Sequence, residues 1–352
     1  MGDWPDRRFL DLVHTQHPIV QAPMANAGGV ELCVAAIKGG ALGSLPCGML
    51  APNQMREQVA AVRARASGPL ALNFFCHRMP EPADDAAWRA LLQPYYDEFG
   101  IEPAAAPPAR RPFDDDACAV VEEVRPEVVS FHFGLPAQEL LERVKASGAI
   151  VIACATTVDE ARWLEQHGAS AIVAQGFEAG GHSGRFLGSD PSEAMGLFAL
   201  LPQITDAVRV PVLAAGGIAD GRGIAAALTL GASAVQIGTA FLGCDESLLP
   251  DGAKALLGSR STVMTNLYSG GLARAPRGRL IDALGPVRSE APPYPLAGAA
   301  AAPLFRAAWE RGDFAFMPIL AGQAAPLARK SPAAELVETL ATEALAILRS
   351  RA

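Results

Sequence analysis

Eight times between Pro18 and Gly238 the chain repeats one pattern: a short apolar run, then a segment whose apolar residues recur at helical spacing. The runs are Pro18–Met24, Ala41–Leu45, Leu70–Phe75, Val128–Phe133, Ala149–Cys154, Ser170–Gln175, Pro211–Ala215 and Ala234–Gly238. Strands joined through helical crossovers run parallel. Eight of them match the strand count of an α/β fold of the closed (β/α)8 kind, the TIM barrel, which takes about 250 residues. An open, doubly wound sheet is the competing arrangement. Polar residues and glycines recur at the C-terminal ends of several strands, where a barrel keeps its chemistry, and this favours the barrel.

Local signals punctuate the pattern. A helix from Val30 to Lys38 stops at Gly39-Gly40, and the next opens at Pro52 with Met55, Val59 and Val62 on one face. Thr156 or Thr157 caps a helix that Gly168 closes. A helix over Pro191–Val208 precedes the seventh strand, and Asp220 caps the one that Gly231 ends. The third crossover, about residues 76–126, is longer than a crossover needs. It predicts helices near Asp84–Phe99 and Asp114–Val124 and a proline-rich piece, Glu102–Pro112, that is either a lid or a decorated loop. The expected division is a barrel over 1–245 and a mostly helical extension over 246–352 that packs at the active-site side. A Gly/Pro/Ala-rich span, Gly285–Pro303, interrupts the extension, and a helix near Ala333–Arg349 ends it.

With half its residues apolar, the chain can bury a large core. The net charge of -8, with no basic block, argues against a nucleic-acid surface. No apolar run approaches a membrane span, and Met1–Arg8 is too polar for a signal peptide, so a cytoplasmic protein is expected. None of the six cysteines forms a C-x-x-C pair, which fits a reducing compartment and predicts no metal site.

Candidate site residues follow from alternation along the strands. In Leu70–Phe75, Asn73 shares the inward face with Ala71; in Val128–Phe133, His132 points inward while Phe131 and Phe133 turn to the helix layer. Gln175 ends the sixth strand on the face of Ala171 and Val173. The loop that follows, Gly176–Arg185, holds Gly180, Gly181 and His182, a ring that exchanges protons near neutrality. The seventh and eighth strands end in Gly216-Gly217 and Gly238-Thr239, where barrels commonly bind phosphate through backbone N–H groups. A phosphate handle beside Asn and Gln groups suits FMN, and equally a sugar phosphate or a nucleotide substrate.

At Gln21-Ala-Pro-Met24, Asn73-Phe-Phe75, Ser130-Phe-His-Phe-Gly134, Ala174–His182, Ala215-Gly-Gly-Ile218 and Gln236-Ile-Gly-Thr239 the chain resembles the nitronate monooxygenases, formerly 2-nitropropane dioxygenases, and their class I branch in particular. The resemblance covers about residues 15–245. It implies a TIM barrel with a helical extension, FMN as cofactor, and a nitronate or nitroalkane with O2 as substrates. A homodimer is compatible with it. It also implies roles: Ala22, Pro23 and Met24 pack on the flavin ring, Asn73 and Gln175 bond the cofactor, and Gly180 and Gly181 approach it closely. Gly216, Gly217, Gln236, Gly238 and Thr239 hold the phosphate end. His182 matches the catalytic base, and His132 a second histidine beside the substrate. At the C-terminal end, where that branch carries tyrosines and a lysine, Tyr294 remains as a substrate-side residue, and Leu296–Pro303 is nearly featureless. Tyr268 or Phe316 are the candidates to complete that wall.

The expected reaction is oxidation of an alkyl nitronate with O2 to a carbonyl compound and nitrite. His182 would remove the α-proton from a neutral nitroalkane, and His132, if donating, would stabilise the nitro oxygens. An FMN-dependent NAD(P)H reductase of the enoyl-acyl-carrier or quinone reductase type is the alternative. The lack of a G-x-G-x-x-G motif argues against a second nucleotide site.

Overall fold

The computed structural model describes residues 4–103, 110–188, 190–259 and 261–351. Eight parallel strands form one sheet: β1 (Ile19–Gln21), β2 (Gly43–Pro46), β3 (Leu70–Phe75), β4 (Val128–His132), β5 (Ile150–Ala155), β6 (Ala171–Gln175), β8 (Val212–Ala215) and β9 (Ala234–Ile237), ordered β1-β9-β8-β6-β5-β4-β3-β2. A parallel bridge between Val20 and Leu42 joins the two ends, with the Gln21 N–H donating to the Leu42 carbonyl at 2.9 Å. The sheet therefore closes into the TIM barrel that the eightfold pattern predicts, and the open-sheet alternative falls away.

Alternation sorts the side chains as expected. Val20, Leu42, Ala71, Val128, Ile152, Ala171, Val173, Leu213 and Ala234 fill the interior, and Phe9 and Val13 of the N-terminal helix join the same cluster. Leu72, Phe74, Val129, Phe131, Ile172 and Ala174 face outward into the helix layer. Such alternation leaves Asn73, Ser130 and His132 inside, at the C-terminal ends of their strands. Thr157, rather than Thr156, caps its helix by accepting from the Glu160 N–H, and Asp220 accepts from the N–H groups of Arg222 and Gly223. The predicted helix over Pro191–Val208 is broken: a single 3-10 turn at Pro191–Glu193 is followed by a helix at Leu197–Ala207. The Glu178 carboxylate accepts from the Leu197 N–H and fixes this second start.

The long crossover and the C-terminal segment build one structure. Its helix Ala86–Phe99 packs on the helix Ala297–Arg311, and Trp88, Leu92, Tyr96 and Phe99 share a buried cluster with Ala297, Ala300, Ala301 and Leu304. The Trp88 indole N–H donates to the Ala297 carbonyl at 3.1 Å. This helix corrects the reading of Gly285–Pro303 as an interruption. Alanine is the strongest helix former, and its small side chain lets the two helices approach closely. The segment also contains two strands, β10 (Thr262–Thr265) and β11 (Ala273–Pro276), where mostly helix was expected. They form a small antiparallel sheet with β7 (Gly181–His182), so His182 lies in a strand rather than in a free loop. The last helix, Ala333–Arg351, returns to the barrel: Leu336, Val337, Leu340 and Ala344 join the main core, against the helices Val30–Lys38 and Gly221–Thr229. Of the proline-rich Glu102–Pro112, residues 104–109 lie outside the described residues.

Candidate active site

At the C-terminal ends of the strands lies a cavity of about 970 Å³. That is near the upper end of the range typical for small-molecule and cofactor sites, roughly 300–1,000 Å³. Ala22, Pro23 and Met24 line it beyond β1, Asn73 at the end of β3, and His132 at the end of β4. Gln175 follows from β6, then Gly180, Gly181 and His182 on and before β7. Gly216 and Gly217 line it after β8, and Gln236, Gly238 and Thr239 at β9. These residues come from six barrel strands and one added strand, and the fold brings them all to one cavity.

His182 is held from several sides. Its Nε2 is 2.7 Å from the Ser269 hydroxyl, which the extension supplies. Its backbone carbonyl accepts from Gln175 Nε2 at 2.9 Å and from His132 Nε2 at 3.1 Å. Gln175 Oε1 in turn accepts from the Gly184 N–H at 2.7 Å. Two residues on, the Glu160 carboxylate, fully buried, accepts from the N–H groups of Phe186 and Leu187 and from the N–H and hydroxyl of Thr156. The loop after His182 is thus tied to the barrel by a buried carboxyl group with both oxygens hydrogen-bonded, as a buried polar group requires.

Burial sets the protonation state of both rings. Burial pushes His182 down to about 3, helped by the charge of Arg110 and by His132 and His77. It pushes His132 down to about 4, against the backbone hydrogen bond to His182. Both side chains remain partly exposed to the cavity. At neutral pH both rings are neutral. A neutral imidazole has one N–H, and that of His132 goes to a carbonyl. His132 thus lines the cavity while its donor orients His182.

Tyr294 is near the site without lining the cavity; its neighbour Pro295 does. Its ring packs 5.1 Å from that of His182, 5.2 Å from Phe133 and 4.9 Å from His77. Burial raises the Tyr294 phenol, and the nearby Arg110 guanidinium pulls the other way. The hydroxyl makes no well-formed hydrogen bond in the fold. Of the two residues expected to complete this wall, Tyr268 lines the cavity and Phe316 does not. Phe316 is sealed in the extension's core against Tyr95, Phe99 and Phe305.

Phe133 departs from the strand alternation. Its φ of 67° and that of Gly134, 91°, turn the chain sharply after His132. The ring swings away from the helix layer and packs beside His132, His182 and Tyr294. The glycine after it was the available signal. His77, Arg110 and Ser269 also belong to this neighbourhood. No spacing in the sequence marks them, because each reaches the site from outside the strand repeat.

The residues fit a flavin mononucleotide. Asn73 donates its amide to Ser130 and leaves Oδ1 unpaired, and the Gln236 amide forms no hydrogen bond among the described residues. The N–H groups of Gly217 and Gly238 donate to no backbone acceptor among the described residues. Thr239 Oγ1 accepts from the Gly322 N–H and keeps its own proton to donate. Unpaired amides and free N–H donors around one cavity, with Met24 among them, suit a ring with polar edges and an anionic tail.

Comparison with known proteins identifies the family. Residues 7–343 match the nitronate monooxygenase family. A nitronate monooxygenase of Paraburkholderia phytofirmans is 42% identical, over 96% of this chain and 94% of its own. One of Pseudomonas aeruginosa is also 42% identical, over 96% and 98%. The crystal structure of a nitroalkane oxidase from Streptomyces ansochromogenes superposes with a TM-score of 0.90 at 38% identity, covering 98% of this chain and 99% of that one. With agreement of this extent in sequence and in fold, the chain belongs to the nitronate monooxygenase family and is an oxidoreductase.

Proposed function

We propose that the protein binds FMN and oxidises alkyl nitronates with O2 to a carbonyl compound and nitrite. It would accept neutral nitroalkanes once a proton has been removed. In this reading residues 1–245, with the insertion at 76–126, form the FMN-binding barrel, and 246–352 complete the wall above it. Ala22, Pro23 and Met24 offer the ring an apolar surface, Asn73 and Gln175 its polar contacts, and Gln236 lies toward the phosphate end. Gly180 and Gly181 permit close approach. Gly216, Gly217, Gly238 and Thr239 hold the phosphate.

When bound, FMN supplies the redox chemistry, drawing electrons from the nitronate and delivering them to O2. The chain's own residues position the substrate and handle the proton. With Nε2–H donating to Ser269 Oγ, the lone pair of His182 lies on Nδ1, which has no protein partner among the described residues and is free to take the α-proton. His132 and Gln175 keep the imidazole in place through its own backbone carbonyl. Phe133 and Tyr294 close the side of the site and exclude water.

The observation that carries this reading is His182, held by Ser269, Gln175 and His132 in the wall of a cavity that also offers free N–H donors. The test is anaerobic mixing of the purified protein with ethyl nitronate, propionate 3-nitronate and NADH. The reading expects a yellow protein that releases FMN on denaturation and bleaches with a nitronate. Bleaching with NADH alone supports the reductase instead, and a colourless protein that takes up no FMN supports a flavin-free barrel.

A further inference from the structure

Arg110 enters the cavity from the end of the long crossover, on the same side as His182. It forms no ion pair with a carboxylate among the described residues. Its backbone is anchored: His77 Nε2 lies 3.3 Å from the Arg110 carbonyl, and the Phe113 N–H donates to the Phe75 carbonyl at 2.8 Å. Its side chain reaches the buried Tyr294 hydroxyl, which has no other hydrogen-bond partner among the described residues. A guanidinium that lines a cavity with no carboxylate partner among the described residues keeps donors for an anionic ligand.

The groups that face His182 are Arg110, His132, His77, Tyr294 and Ser269, and none is acidic. Arg110 carries a planar, delocalised guanidinium. Its fork of parallel N–H donors matches two oxygens held in a plane, as in a carboxylate or in the C=NO2 head of a nitronate.

Building on the function proposed above, the geometry points to Arg110, with Tyr294 behind it as a positioning residue, as the group that receives the two nitronate oxygens beside His182. Arg110 has two effects there. It favours the anion over the neutral nitroalkane in binding, and it stabilises the charge that develops as His182 takes the proton. It also holds His182 in the unprotonated form that the step needs.

The test uses the FMN-loaded enzyme and nitrite, a planar anion with the same two oxygens, titrated against the flavin absorbance. Arg110→Met should weaken nitrite at least tenfold and raise the KM for ethyl nitronate similarly, with FMN content unchanged. Arg110→Lys, which keeps the charge without the fork, should fall between. A second readout needs no cofactor. In the FMN-free protein, NMR of the His182 ring should show it protonating at higher pH in Arg110→Met than in the parent. Unchanged nitrite affinity and unchanged His182 titration in either variant overturn the assignment. If the parent enzyme binds nitrite through Arg110 but turns over no nitronate, the anion subsite stands and the nitronate reading fails.

Discussion

Replacing His182 by Asn tests the proton step directly. The shift from 6.5 to about 3 sets on the order of 5 kcal/mol against forming the imidazolium, as an upper bound. A base so weak on its own works only if its charge is formed beside an opposite one. The nitronate born in the same step is that charge: at roughly 4 Å and an effective dielectric near 20, the pair gains about 4 kcal/mol. The two quantities nearly cancel, so proton transfer from a bound nitroalkane is feasible although the free ring is rarely protonated. Asn keeps the backbone carbonyl that Gln175 and His132 hold, and removes the base.

General-base catalysis is worth about 10²–10⁴ in rate, or roughly 3–5 kcal/mol. His182→Asn should therefore lower kcat/KM for nitroethane by that factor. A preformed ethyl nitronate needs no proton removed, so its loss should stay within about tenfold, the effect of lost packing against Tyr294. Parallel steady-state assays on the two substrates, with FMN content checked by absorbance, give the ratio. Equal losses on both would refute the proton-transfer role. So would a wild-type pH profile for nitroethane whose acid limb lies at 6.5 or above, because the depressed ring is unprotonated down to well below that pH.

Three further outcomes follow from the same geometry. Ser269→Ala deletes the 2.7 Å hydrogen bond to His182 Nε2; at about 1 kcal/mol for one such bond, kcat/KM for nitroethane should drop several-fold while the nitronate rate hardly moves. In Gly180→Ala the new Cβ would lie 2.5 Å from the Gly322 nitrogen and 2.6 Å from the Ala321 carbonyl carbon. The clash is with the Ala321–Gly322 peptide, backbone that gives no easy relief, so the variant should lose about 1–3 kcal/mol of stability, seen in a denaturant titration, and should bind FMN more weakly. The third concerns acid. His182 and His132 are neutral in the fold and protonate in the unfolded chain below about 6.5. Their contribution to stability is thus complete above that pH and is lost as pH falls from 6.5 toward 4 and 3. At pH 4.5 each ring should account for up to about 2–3 kcal/mol of the loss, and His132→Gln should show a smaller drop in its urea midpoint between pH 7 and 4.5 than the parent; an identical drop would contradict the depressed value for His132.

The barrel and half of its rim were legible because a parallel strand carries two regular signals, its apolar run and its alternation. Asn73, His132 and Gln175 stand at strand ends whose neighbours fix the inward face. Phe133 escaped that logic by one residue, since a positive φ ends the alternation and redirects its ring. The strands Gly181–His182, Thr262–Thr265 and Ala273–Pro276 were not legible at all. Each is too short to show a period, and each exists only through pairing with the others. The helix Ala297–Arg311 was hidden by its glycine and proline. What holds it is a second helix some two hundred positions earlier, through Trp88 and Tyr96.

The residues that sequence reading missed have one property in common. His77 and Arg110 come from the long crossover and Ser269 from the extension, so no barrel strand supplies them; Tyr294, which the resemblance did single out, joins them from the extension. They meet over His182 because the two segments share a core, the cluster around Trp88, Tyr96, Ala300 and Leu304. The barrel presents its polar groups whatever lies above it. Substrate choice, by contrast, depends on that second core holding Arg110, Ser269 and Tyr294 in register with His182. A mutation there, far from the chemistry, such as Trp88→Phe, removes the hydrogen bond to Ala297 but no contact to the cavity. It should leave FMN binding to the barrel nearly intact while raising the KM for a nitronate, which flavin absorbance and steady-state kinetics on one sample would separate. A parallel loss of both would mean that the roof and the barrel act as one unit.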